Sequence, residues 1–127
     1  MSTEQNKAFV QRYLAAISGE DKTAELIGRF VTDPALVAHI ETAERGFPRY
    51  RIEAKDLIAE GDTVVVRFTC EVRHLGEFMG APPSGREASF DGIAIYRIDG
   101  EKIADHWLHF DAPALMQQLG LMPATTA

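Results

Sequence analysis

The segment Ile103-Ala-Asp-His-Trp-Leu-His-Phe-Asp-Ala-Pro-Ala-Leu-Met-Gln-Gln-Leu119 passes from an alternating pattern into a helical one. It carries the only Trp, two of the four His and two carboxylates. In a strand, successive side chains point to opposite faces. Asp105, Trp107, His109 and Asp111 therefore share one face, a polar row around an indole, while Ala104, His106, Leu108 and Phe110 share the other, which is mostly apolar. The strand half ends at Asp111, a favoured helix N-cap, and Pro113 follows in the first turn. The spacing predicts a last helix from about Ala112 to Leu119, with Leu115, Met116 and Leu119 on its apolar side and Gly120 as its stop.

Upstream of this junction, Asp99-Gly100 is a hairpin turn, and a strand is expected from Glu87 to Ile98. A glycine- and proline-rich link, Leu75 to Gly85, joins it to a long strand with β-branched residues from Thr63 to His74. Tyr50 to Ile58 is mixed in character, and Gly61-Asp62 is a turn. The first part of the chain is helical. Phe9, Tyr13, Leu14 and Ile17 define an amphipathic helix near residues 3 to 18, and Leu26, Ile27, Phe30 and Val31 a shorter one. Asp33-Pro34 starts a third, which carries Leu36, Val37 and Ile40 and is closed by Gly46 and Pro48. Helices first and antiparallel hairpins second give an α+β domain in which the helices cover one sheet face. Residues 1–127 are expected to form one domain, with Pro123 to Ala127 a frayed tail.

The 127 residues suffice to bury a core without staples. No apolar run approaches the roughly 20 residues of a membrane span, and Met1 to Lys7 lacks the apolar core of a signal peptide, so a soluble, cytoplasmic protein is the expectation. A net charge of −6 with scattered basic residues offers no footprint for a phosphate backbone, so no nucleic-acid partner is expected. The single Cys70 excludes an intrachain disulfide and reads as a small buried residue. His106 and His109, three apart on a strand, face opposite ways, and no metal site is expected.

From Asp56 to Asp62 (Asp-Leu-Ile-Ala-Glu-Gly-Asp), through Val-Val-Val-Arg67, the link His74-Leu-Gly-Glu-Phe-Met-Gly80 with Pro82-Pro-Ser-Gly85, then Gly92 through Tyr96-Arg97 and Ile103 to Gly120, the chain resembles the SnoaL-like polyketide cyclases. These form the ester cyclase branch of the nuclear-transport-factor-2-like superfamily. The resemblance spans residues 50 to 123. Between Phe30 and Phe47 the polar, often His-containing pocket segment of many members is not recognisable. The resemblance implies an NTF2-like cone with N-terminal helices on a curved antiparallel sheet, a buried pocket, a homodimer through the outer sheet face, and no cofactor.

The resemblance further implies a catalytic pair. An acidic residue after the Trp strand is the acid/base of an intramolecular aldol closure in these cyclases, and Asp111 corresponds to it, with His109 on the same expected face. Trp107 corresponds to a cavity wall. Asp111 has an equally direct reading as the N-cap, and the two oppose each other in pKa: a cap depresses a carboxyl, whereas an acid/base near neutrality needs burial to raise it. Tyr96 is a hydroxyl donor for substrate, Phe78 and Met79 a lid, and His74 a group at the pocket mouth or a solvated strand end. Leu108, Phe110 and His106 form the expected dimer face. The function expected is a cofactor-free acid/base enzyme (cyclase, isomerase or lyase) acting on a hydrophobic, carbonyl-bearing molecule. The alternative is a non-catalytic dimer that binds a small apolar ligand.

Overall fold

The computed structural model describes residues 2–121. Helix α1, Thr3–Ile17, starts at a capping box: the Ser2 hydroxyl accepts from the Gln5 backbone N–H, and the Gln5 side chain accepts from Ser2 N–H. It buries Phe9, Val10, Tyr13, Leu14 and Ile17. Helix α2, Ala24–Gly28, is one short turn capped by Thr23. Asp33 caps α3, Pro34–Gly46, with Pro34 in its first turn, as the Asp-Pro pair predicts.

Four antiparallel strands follow in the order β1-β2-β3-β4: Arg51–Glu60, Thr63–Arg73, Glu87–Asp99 and Lys102–Phe110. The mixed stretch Tyr50 to Ile58 is thus most of a full strand, β1. Its character comes from a bulge. Ala54 pairs with Phe68 and Asp56 with Arg67, leaving Lys55 as an extra residue, so the covered positions change phase from Ile52 and Ala54 to Leu57 and Ala59. Helix α4, Ala112–Gln118, closes the described chain and lays Leu115 and Leu119 against Phe47, Val72 and Ala88. The expected tail from Pro123 lies outside the described residues. No helix among them is long and apolar enough to cross a membrane.

One face of the sheet carries α1, α3 and the core, which includes Val64, Val66, Phe68, Ala94, Tyr96 and Ile103. The other face is uncovered. A second bulge decides which face each β4 residue takes. Arg97 pairs with Asp105 but Ile98 pairs with Ile103, so Ala104 is extra. Ile103 is fully buried, and simple alternation from it would turn Trp107 inward. The bulge reverses the phase, so that His106, Leu108 and Phe110 turn toward the helices while Trp107 and His109 are exposed. The α+β cone expected from the sequence is therefore present, with the two faces of its last strand exchanged. Gly92 makes room at the centre of β3: a Cβ there would sit 2.5 Å from the Phe68 ring and 2.9 Å from the His109 carbonyl oxygen.

Candidate functional site

Between the helices and the covered sheet face lies a cavity of about 300 Å³. Helix α1 contributes Tyr13 and Ile17, α3 contributes Leu36, His39 and Ala43, and the strands contribute Phe68, Cys70, Phe90, Tyr96, Leu108 and Phe110. The polar atoms in this wall are few, a pattern suited to an apolar small molecule held by a small number of directed groups. Phe78 and Met79, expected from sequence as a lid, line the cavity from the β2–β3 link.

The link is held at its start. Leu75 and Gly76 donate N–H groups to the Gly46 carbonyl at 3.2 and 3.1 Å, an approach so close that a Cβ on Gly76 would lie 1.9 Å from the Arg45 carbonyl oxygen. At its tip, Phe78 and Ala81 exchange backbone hydrogen bonds around Met79 and Gly80, both at positive φ. Met79 is 76% exposed, a long apolar side chain held at the mouth in a conformation that favours glycine. Phe78 packs against Phe47, ring centroids 4.6 Å apart and the rings tilted by 47°. His74 is neither solvated nor at the mouth. It is wholly buried, its ring packs 5.8 Å from Phe47, and its Nδ1 accepts from Ser84 N–H at 3.3 Å with the Ser84 hydroxyl at 2.9 Å. It anchors the lid from behind and does not line the cavity, because the link folds back over the end of β2.

Next to His39, behind the residues that line the cavity, stands a histidine–carboxylate pair that the sequence reading missed. His106 of β4 meets Asp33, the α3 cap, at 2.7 Å between Nδ1 and Oδ2, with side-chain exposures of only 12% and 9%. An ionised carboxylate only accepts, so Nδ1 carries the proton and Nε2 is left for another partner. Asp33 uses its second oxygen to accept from Ala35 N–H at 3.0 Å, so a single carboxylate caps the helix and fixes the imidazole. Burial pushes the Asp33 carboxyl up, but the hydrogen bond from His106, the Ala35 N–H and the His106 charge outweigh it and hold the group below its ordinary value. One turn and a half along α3, His39 faces the pair, its ring 6.3 Å from that of His106. His39 lines the cavity and is exposed to solvent at its rim. Desolvation where it meets the protein, reinforced by repulsion from His106, lowers its pKa, which favours neutral imidazole, a form able to take a proton.

His39 is a histidine between Phe30 and Phe47 that lines the cavity, and the sequence reading did not single it out. Its signal was positional: it borders the Leu36, Ile40 and Ala43 stripe that turns α3 toward the sheet. The residues expected in the site divide accordingly. Tyr96, Phe78 and Met79 line the cavity. Trp107 and His109 face away from it, on the uncovered side of the sheet; Trp107 lies under the Arg97 guanidinium at 5.3 Å. Asp111 is exposed and caps α4, accepting from Ala114 N–H at 3.1 Å. His106, Leu108 and Phe110, expected at a dimer face, are inside instead, because the Ala104 bulge reverses the strand.

Solved structures share this architecture. AclR from Streptomyces galilaeus, for which a hydroxylase activity has been suggested, is 27% identical with a TM-score of 0.83, over 98% of this chain and 87% of AclR. TsrD from Streptomyces laurentii is 26% identical with a TM-score of 0.78, over 96% of this chain and 99% of TsrD. A SnoaL-like polyketide cyclase from Agrobacterium tumefaciens, 22% identical, superposes with a TM-score of 0.74 over 94% of this chain and all of its own, which speaks for the fold alone. No curated protein matches the chain. The family model described as SnoaL-like polyketide cyclase matches residues 10–119, most of the chain including the α3 segment, and the protein belongs to that family.

Proposed function

We propose that the protein is an acid/base enzyme, a cyclase, isomerase or related lyase, acting on a hydrophobic, carbonyl-bearing small molecule held in the apolar cavity. The observation that carries the reading is the buried His106–Asp33 pair facing His39 beside that cavity. Neutral His39 removes a proton from a carbon next to a carbonyl and becomes imidazolium. His106 enters the step as imidazolium, its Nδ1–H held by Asp33, gives its Nε2 proton to the product oxygen and is left neutral. Proton exchange with solvent resets both rings. The substrate carbonyl delocalises the carbanion, so the residues of the chain need only move protons and position the ring.

The test is exchange of the α-protons of 1-tetralone for deuterium, followed by NMR. His39→Gln is expected to slow it about 100- to 10,000-fold, the usual worth of a positioned acid/base group, with His109→Gln within about twofold of the parent. Asp111→Asn retains a cap and should retain the rate; loss of exchange in that variant alone would return the acid/base role to Asp111. The alternative, a non-catalytic ligand carrier, is favoured by the exposed, helix-capping Asp111. It predicts tetralone binding with no exchange above buffer.

The expected homodimer is proposed on different residues. Ile58, Val65, Ile95 and Trp107 pair successively across all four strands on the uncovered face, with Ile58 and Trp107 exposed at the two edges. Two copies packed back to back would bury this row. Trp107→Lys is expected to shift the mass measured by light scattering from dimer to monomer; an unchanged mass would remove the outer face from the interface.

A further inference from the structure

The β2–β3 link turns at Met79 and Gly80, with φ of 49° and 79°, between Phe78 and Ala81, whose backbones exchange hydrogen bonds at 3.1 and 2.9 Å. A two-residue hairpin loop with both central residues at positive φ has the type I′ pattern, which favours Asn-Gly, Asp-Gly or Gly-Gly. Met79 is out of place there. Its Cβ crowds the following carbonyl, and a thioether lacks the local hydrogen bond with which an Asn side chain offsets that crowding. The β3–β4 hairpin turns in the same way at Gly100 (φ 57°) and Glu101 (φ 59°), with a glycine and a charged residue. Arg49, the third non-glycine residue at positive φ among the described residues, donates its N–H to the Glu44 carboxylate at 2.7 Å. Met79 is the apolar one of the three.

Burial does not account for Met79 either. No other large apolar side chain among the described residues is as exposed, yet Met79 borders the cavity. A residue that strains its turn and leaves most of its apolar surface in water stabilises neither the turn nor the core. Strained backbone positions that persist cluster at ligand clamps and active sites. At the root of the same link, His74 Nδ1 accepts from Ser84 N–H, which leaves the ring proton on Nε2, buried and with no acceptor among the described residues. The His74 ring packs on Phe47, and Phe47 on Phe78, the neighbour of Met79. The link therefore carries two uncompensated groups, one at its root and one at its tip.

We infer that Met79 is a specificity-determining residue of the cavity: its side chain caps the outer end of a bound ligand, and that contact offsets the strain of the turn. Methionine suits the task, because three rotatable bonds let it follow a ligand outline and its sulfur packs favourably at ring edges. In a cavity of about 300 Å³, a single six-membered ring lies inside without reaching the cap, whereas a second fused ring brings ligand atoms to Met79. The residue thereby selects ligands that extend to the mouth. The inference rests on the cavity holding a ligand, as in the proposed function, and on no proton transfer.

Calorimetric titration with 1-tetralone, which has two fused rings, and cyclohexanone, which has one, tests it without requiring turnover. Met79→Asn installs the residue the turn prefers and is expected to raise the melting temperature of the ligand-free protein by about 2–5 °C. The same variant should weaken 1-tetralone about 3- to 10-fold and leave cyclohexanone within about twofold. Met79→Leu keeps both the strain and the apolar reach, and should match the parent in melting temperature and affinity. A merely structural Met79 would not yield a more stable protein that binds less. In the parent labelled with 13C-methyl methionine, 1-tetralone should shift the Met79 methyl signal, assigned by its absence from Met79→Leu. Unchanged 1-tetralone affinity in Met79→Asn, equal weakening of both probes, a lowered melting temperature or an unmoved methyl signal overturns the cap and leaves the His39 exchange result standing. Selective loss of 1-tetralone affinity in a protein that exchanges no α-protons keeps the cap and removes the enzyme. No binding of 1-tetralone to the parent removes the cavity as a ligand site and the cap with it.

Discussion

The inner and outer faces of β4 carry similar chemical inventories and do different things with them. Outside, Asp105 faces Arg97 at 3.8 Å in solvent, Trp107 lies under the same guanidinium, and His109 is exposed. Inside, His106 is fixed by a buried carboxylate, and Leu108 and Phe110 line a cavity. Exposed ion pairs of the first kind contribute between nothing and about 1 kcal/mol, whereas a buried, hydrogen-bonded pair beside an apolar cavity is where proton affinities are displaced toward a task. The difference teaches that a row of reactive residue types is not yet a site; enclosure makes it one.

The sharpest way to break the comparison is to fill the inside. Gly92→Val puts atoms against the Phe68 ring and the His109 carbonyl, and it is expected to cost about 1–3 kcal/mol or more in chemical denaturation, as overpacking does. In the Trp107→Lys background, where the outer face is free of a second copy, Ile93→Ala, one residue along and half exposed on that face, should stay within about 0.5 kcal/mol. Equal losses there would contradict the difference between the two faces.

A smaller effect sharpens the comparison through pH. The His39 pKa is lowered on folding, so the unfolded chain binds more protons between the two values. The stability is therefore full above the ordinary histidine range and declines as pH falls through it toward the folded value. His39→Gln should flatten the stability profile between about pH 7.5 and 5. Asp33, also lowered, acts in a separate window: its contribution is present above the ordinary carboxylate range and is lost only as pH falls through its folded value. An unchanged slope in His39→Gln would contradict a His39 pKa lowered by the fold.

Most of the architecture was legible in the sequence because it rests on local signals. The Asp33 cap, the Asp99-Gly100 turn, the alternation of β2 and the stop at Gly120 all have short-range causes, and the structure has each of them. The site was less legible, for three physical reasons. The Ala104 bulge shifts the phase of β4 with no glycine or proline to announce it, so the faces were exchanged. Asp33 was read as a cap, which it is, but its second oxygen reaches a residue 73 positions away. His74 ends a strand and would be solvated there, had the glycine link not folded back over it. Tyr96, Phe78 and Met79 line the cavity, at positions that do not depend on the phase of β4.

The central claim is that ligand and chemistry belong to the inner face. Backbone amide NMR on a 15N-labelled sample titrated with 1-tetralone addresses it directly, residue by residue. The account predicts shifts concentrated at Tyr13, His39, Phe78, Tyr96 and Leu108, with Ile93, Trp107 and His109 unmoved. Shifts centred on Trp107, His109 and Asp111, with the cavity residues silent, would contradict it.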